Sequence, residues 1–290
     1  MGVAGRRLPA QRPGPCLHRG AGLCSAGAGG AGVHGAEAGH ATCAIVARVN
    51  TSPTPPRDRF DRLDALRAVA IVWMAIFHFS FDLAHYGITR QNFYADPFWL
   101  HQRTCIVSLF LFVAGLGQAV AFGQAQTWPR FWRRWAQVAG CAVLVSIGSW
   151  LMFKERFIHF GVLHGIAVML ILVRLTARGG VWLWIAGAVA IALPRFIHEP
   201  FFDSRLTNWV GLITHRPATE DYVPVLPWIG VMWWGMAAGQ WVLAHRREWL
   251  TGPLPRALHP MAVLGRWSLS FYMLHQPVLI GLVLLVLQLR

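Results

Sequence analysis

Residues 64–85, DALRAVAIVWMAIFHFSFDLAH, are apolar over a length that crosses a bilayer, yet they carry Asp64, Arg67, His78, Asp82 and His85. At about 100° per residue these five side chains fall within a stripe about 60° wide on a helix. The rest of the helix surface is Ala, Val, Ile, Trp, Met, Phe and Leu. An ionisable group inside a membrane costs about 2.5–3.5 kcal/mol on insertion scales and is by default a functional group. Five on one line predict a reactive polar face, with lipid or protein against the other faces.

The composition agrees with a membrane setting. Hydrophobic residues make up 55% of the 290-residue chain and charged residues 13%, which excludes an ordinary soluble domain. Lys and Arg number 26 against 12 Asp and Glu. These bases sit in short loops between apolar runs, so they read as a positive-inside signal and not as a nucleic-acid patch. The five cysteines form no CxxC pair, and neither a disulfide framework nor a zinc knuckle is expected. Residues 1–56 are rich in Gly, Ala and Arg, lack apolar periodicity, and read as a disordered tail.

Apolar runs near 64–84, 99–122, 134–153, 158–176, 181–197, 224–244 and 262–288 predict an all-α polytopic membrane domain over residues 57–290. It has about seven transmembrane helices around a polar cleft. Alternating the loops puts about thirteen basic residues on the side where the first span starts and about seven on the other. That favours a cytoplasmic N-terminus in the inner (plasma) membrane. The long loop 198–223 then lies outside and offers polar residues for a substrate vestibule.

The orientation assigns depths. His78 lies about 21 Å above Asp64 at 1.5 Å per residue. The fourth span, in RFIHFGVLHGIAV, brings His164 to a similar depth, and Asp221 and Tyr222 open the sixth span at the outer rim. The last span places Ser268, Tyr272 and His275 at i, i+4 and i+7, on one helix face, with Pro277 expected to kink it. His78 and Asp82, at i and i+4, are surface neighbours. Asp82 is thus expected to fix the tautomer of a general-base His78. Arg67 lies on the same face about 16 Å from His78, a span suited to a long phosphate-bearing donor such as acyl-coenzyme A. His85, His101 and Trp228 are further residues expected near the acceptor. Two other classes use the same side chains: a proton-coupled small-molecule transporter, and a metal centre of His78, Asp82, His85 and His164.

RLDALRAVAIVWMAIFHF, with Arg67, ten residues and then His78, resembles the first-helix signature of membrane acyltransferases. Together with FHFSFDLAHYG, SLFLFVAGL, IHFGVLHGIAV, DYVPVLPWIGV and LGRWSLSFYMLHQPVL, it is similar to the bacterial members of the heparan-alpha-glucosaminide N-acetyltransferase catalytic-domain family. The resemblance covers about residues 60–285. It implies a transmembrane O- or N-acetyltransferase that takes acetyl from cytosolic acetyl-coenzyme A and passes it to an amine or hydroxyl of an extracytoplasmic sugar or glycan, with no metal. Arg67 would hold the donor, and His78, Asp82, His164 and His275 would form the catalytic group. Direct transfer and an acetyl-histidine intermediate are both compatible with this set.

Overall fold

The computed structural model describes residues 60–219 and 221–289; the expected tail over residues 1–56 falls outside them. Among the described residues the regular structure is helical: α1 (Asp61–His85), α2 (Pro97–Gly123), α3 (Trp128–Phe153), α4 (Val162–Leu175), α5 (Trp182–Ala192), α6 (Val225–His245), α7 (Glu248–Thr251), α8 (His259–Arg266) and α9 (Ser268–Gln288). Among the described residues four helices are long and apolar enough to cross a membrane, α1, α2, residues Trp128–Met152 of α3, and α9. The expected fourth and fifth spans are shorter apolar helices, Val162–Leu175 and Trp182–Arg195. The sixth is broken near its start, where Leu226 leaves helical geometry (φ −92°, ψ 133°) ahead of Pro227. The last expected span is two helices, because the chain turns at Trp267 between α8 and α9.

The helix starts follow local chemistry. Asp61 and Asp64 occupy the first turn of α1, where carboxylates favour the positive end of the helix dipole. The Asp96 side chain accepts from the Phe98 N–H at 2.9 Å and caps α2, with Pro97 at its first position, where a proline forfeits no helical hydrogen bond. Gly87 (φ +72°) follows α1 and supplies the positive φ that the turn there requires.

Neighbouring contacts fix the relative directions. α1 and α2 are antiparallel, since Trp73 donates to Gln102 at 2.9 Å while Gly117, about four turns further along α2, lies against the Arg67 guanidinium. α2 and α6 are parallel and share a seam of small residues. A Cβ on Gly115 would strike the Met232 carbonyl, and one on Gly235 the Phe112 carbonyl. Such small-residue seams let helix backbones approach closely in membranes, where packing is a main driving force. α5 runs antiparallel to α6, its Gly187 against the Gly230 carbonyl. α3 and α4 are antiparallel, tied by Ser146 to His164 (3.1 Å) and Trp135 to the Ala167 carbonyl (2.8 Å).

α9 runs parallel to α1. Arg266, just before it, pairs with Asp61 at 2.9 Å, and Gln276 reaches Asp82 at 2.8 Å. α8 braces this pair, with Gly265 so close to the Asp64 carbonyl that no Cβ fits. Two ends can therefore be distinguished, called here the Arg67 end and the His85 end after the residues of α1 that mark them. The main buried cluster joins α2, α4 and α6 through Leu111, Met169, Val173, Ile229, Met232 and Met236.

Candidate active site

At the Arg67 end the helices leave a cavity of about 1080 Å³. Its polar lining is Asp64, Arg67, Gln118, Gln126, Arg134, Gln137, Arg266, Ser268 and Ser270; Phe110, Trp135, Ile166, Leu170, Met273 and Leu274 are among its apolar walls. Three arginines from three segments thus face one space. Arg67 donates to Asp64, one helical turn away, and Arg266 Nε approaches the other Asp64 oxygen at 3.8 Å. Gly117 makes room for the Arg67 guanidinium, which a Cβ there would meet. Guanidiniums grouped in this way suit multidentate oxyanion binding.

Where α1 and α9 run side by side, the His78 and His275 rings face each other at 5.2 Å between centroids, tilted by 59°. His275 Nδ1 lies 2.7 Å from the Tyr272 carbonyl oxygen. A carbonyl only accepts, so Nδ1 carries the proton and Nε2 keeps its lone pair. Nε2 is buried and has no hydrogen-bond partner among the described residues. Phe271 stacks on the same ring at 6.1 Å, and Phe77 packs edge-on against His78 at 5.9 Å. Pro277, expected to kink the last span, sits within α9, which continues through it. Lacking an N–H, Pro277 leaves the Met273 carbonyl without its helical donor, about half a turn before His275.

Asp82 does not orient His78. Its Oδ1 accepts from Gln276 Nε2 at 2.8 Å, while Asp82 Oδ2 and Gln276 Oε1 are buried without partners among the described residues. Asp82 is 3% exposed, so this unfinished pair is a strong local feature. It ties α1 to α9 immediately beside His275. The i, i+4 spacing permits a His78–Asp82 bond, but a cross-helix donor takes the carboxylate.

His164 is likewise engaged elsewhere. Its Nδ1 accepts from the Gly161 N–H at 3.3 Å, which leaves Nε2–H to donate to Ser146 Oγ at 3.1 Å. The Ser146 hydroxyl in turn donates to the Ile158 carbonyl at 2.6 Å, and the Ile158 N–H donates to Ser149 Oγ at 2.9 Å. Both ring nitrogens are used in closing the turn between α3 and α4, apart from the His78–His275 pair with which His164 was expected to form the catalytic group. Asp221 belongs to the same corner. Its carboxylate accepts from the Val162 N–H at 2.7 Å and caps α4 across the chain. Burial pushes the Asp221 carboxyl up from its ordinary range, while the Val162 N–H and the charges of Arg103 and Arg216 pull it down.

At the His85 end a second, smaller pocket of about 320 Å³ is lined by Arg103, Val107, Arg216, Tyr222, Leu226 and Trp228, among others. Tyr222 is 7% exposed and donates to the Asn208 carbonyl at 2.7 Å. α2 borders both spaces: Arg103 and Val107 line the smaller pocket, and Phe110, one turn on, lines the larger cavity and touches Tyr272 at 6.3 Å. His85 and His101 are exposed and lie outside both spaces. The first stacks on Phe81 at 6.0 Å, and the second bonds back to the Pro97 carbonyl at 2.5 Å. No group of three or more His, Cys, Asp or Glu side chains among the described residues could hold a metal ion, so the four-ligand centre is not assembled.

Arg134, Arg266 and Arg216 were not expected as site residues. Their positions in short basic segments, WPRFWRRW and LGRW, or in a loop read as topology signals, and only the fold shows which of them turn inward. Residues 59–277 match a family model described as heparan-alpha-glucosaminide N-acetyltransferase, catalytic. The chain belongs to this family. The match to the heparan-alpha-glucosaminide N-acetyltransferase model spans every site residue named above, from Arg67 to His275. Comparison with curated proteins and with solved structures finds no significant match to either. The family and the apolar helices together mark a membrane protein whose family activity is acetyl transfer.

Proposed function

We propose that this chain is a seven-span membrane acyltransferase in which acyl-coenzyme A occupies the cavity at the Arg67 end and the acceptor enters from the His85 end. The observation that carries this reading is the His78–His275 pair at the α1–α9 seam: it lines neither space, but Met273 and Leu274, just before His275, line the large basic cavity, and Tyr272 beside His275 touches Phe110 of the same cavity. The family supplies acetyl as the group transferred. The helices α1 to α6 and α9 reverse direction in turn, which supports seven crossings. The charge distribution supports a cytosolic Arg67 end.

In this reading Arg67, Arg134 and Arg266 bind the donor phosphates and the apolar walls exclude water from the thioester. The acceptor hydroxyl or amine loses a proton to His275 Nε2 as its oxygen or nitrogen attacks the thioester carbonyl. The C–S bond breaks, coenzyme A leaves as thiolate, and the imidazolium returns the proton to it. His275 suits the role because its protonated Nδ1 is tied to the Tyr272 carbonyl. That hydrogen bond fixes the tautomer, as the orienting partner of a general base does. A two-step variant would place the acetyl on His78 first.

Purified protein in proteoliposomes, given radiolabelled acetyl-coenzyme A and a panel of amino sugars and sugars, tests this. Acetylated sugar in the lumen is the expected product. Unchanged acetyl-coenzyme A with every acceptor, from protein that folds, would overturn it. Label exchange between acetyl-coenzyme A and free coenzyme A without acceptor separates the two-step route from direct transfer.

A further inference from the structure

Asp82 and Gln276 meet across the α1–α9 seam as two flat forks, a carboxyl and a carboxamide. One arm of each is joined, Gln276 Nε2 donating to Asp82 Oδ1 at 2.8 Å. The other arms, Asp82 Oδ2 and Gln276 Oε1, are buried and have no partner among the described residues. An ionised carboxylate and an amide carbonyl both only accept, so these two oxygens have nothing to give each other. A single proton on Asp82 Oδ2 changes that. The neutral acid donates through Oδ2 to Gln276 Oε1 while Oδ1 keeps the amide N–H, and all four heteroatoms are used in a closed ring of two hydrogen bonds. The ionised form would instead hold a charge in an apolar span, 3% exposed and bonded to a neutral amide, which is the costly case. His85, one turn along α1, is the titratable group whose charge reaches Asp82, but its ring is exposed and stacked on Phe81.

The place of this ring gives it a task. Gln276 directly follows His275, and Pro277 directly follows Gln276. Without a Pro277 N–H the Met273 carbonyl lacks its helical donor, so α9 is least held by its own backbone at this turn. The ring supplies a tie from α1 at that point. It fixes the rotation of α9 about its axis, and with it the way the His275 ring meets His78 at 5.2 Å. Resting on the acyltransferase reading above for its effect on turnover, we infer that Asp82 is carried as the neutral acid in a two-bond clamp with Gln276, and that the clamp positions His275. Asp82 lines neither the large cavity nor the smaller pocket; it acts through α9.

Infrared spectra of the full chain in lipid membranes read the proton directly, and proteoliposome kinetics beside melting curves read the positioning. Wild type should show a protonated-carboxyl C=O stretch that disappears in Asp82→Asn. Asparagine offers one acceptor and one donor in the same place, so Asp82→Asn should melt with wild type and keep turnover within about threefold. Asp82→Ala and Gln276→Leu remove the clamp, and kcat per folded molecule should fall about tenfold or more, the scale of two hydrogen bonds, with KM for acetyl-coenzyme A unchanged. Lower melting temperatures with kcat per folded molecule unchanged would mean a purely structural tie and overturn the positioning role. Spectra of wild type and Asp82→Asn that coincide in the protonated-carboxyl region would make Asp82 an ionised group and overturn the inference. Equal loss of turnover in folded Asp82→Asn and Asp82→Ala would make the charge the needed feature and overturn it too. The carboxyl band, with Asp82→Asn as stable as wild type and Asp82→Ala less so, but no acetyl transfer by wild type, sustains the clamp and removes the acyltransferase reading.

Discussion

The corner where α3 meets α4 and the seam between α1 and α9 each hold a histidine on a spanning or near-spanning helix, and the two are spent differently. At the corner, His164 has both nitrogens bonded, Ser146 and Ser149 clamp Ile158, and Asp221 caps Val162. At the seam, His275 Nε2, Asp82 Oδ2 and Gln276 Oε1 are all buried without partners among the described residues. A satisfied polar network holds a fold in one arrangement; unsatisfied buried atoms are costly and persist where a substrate or a proton is to be met. The comparison teaches that a histidine's depth and facing do not reveal its role, whereas its remaining valences do.

The comparison breaks first at the seam. His275→Ala should lower turnover per folded molecule by about a hundred- to ten-thousandfold, the usual range for a lost general base, with thermal stability close to wild type. His78→Ala should be comparably damaging in the two-step route and milder in direct transfer. Steady-state kinetics beside a detergent melting curve reads both, and full turnover by both variants would return the seam to a structural role.

The corner should respond the opposite way. His164→Ala leaves the part-buried Gly161 N–H without its acceptor and takes from Ser146 Oγ the donor it accepts from, although that hydroxyl keeps the Ile158 carbonyl; a buried group that loses its partner costs about 1–3 kcal/mol, which sets the upper end. Stability should therefore fall while turnover per folded molecule stays near wild type. A large loss of turnover with unchanged stability would erase the distinction. Arg67→Ala should act mainly on donor binding, raising KM for acetyl-coenzyme A by about tenfold with a smaller change in kcat.

The smallest effect lies in the loop beyond the corner. Asp203 is held down to about 2, chiefly by the Thr214 hydroxyl and then by the backbone N–H groups of His215 and Thr214. A depressed carboxylate contributes stability above its ordinary value of 3.8, and that contribution is lost as pH falls toward 2. Hydrogen exchange over residues 199–215 should therefore be uniform from pH 7 to 5 after correction for intrinsic rates, and quicken below pH 4. Asp203→Ala should show the fast exchange at every pH.

Much of the membrane fold was legible because spacing and hydropathy are local properties. The polar stripe of α1 and the Ser268–Tyr272–His275 face of α9 needed only helical periodicity, and the ordered motifs pointed to the family that the match over residues 59–277 shows. What was not legible depends on partners far away in sequence. Asp82 finds Gln276 across 194 positions, and Asp221 finds Val162 across 59; no local pattern announces either. Arg134 and Arg266 look like loop charges until α3 and α8 turn them into the cavity beside Arg67. The fourth and fifth helices came out shorter than their apolar runs because Gly161 and Pro194 end regular α-helix within them.

The most direct measurement is calorimetric binding of acetyl-coenzyme A to detergent-purified wild type and His275→Ala. Donor site and chemical centre are separate places in this account, so both proteins should bind saturably with similar affinity while only wild type turns over. Absence of binding by well-folded wild type would contradict the account at its base.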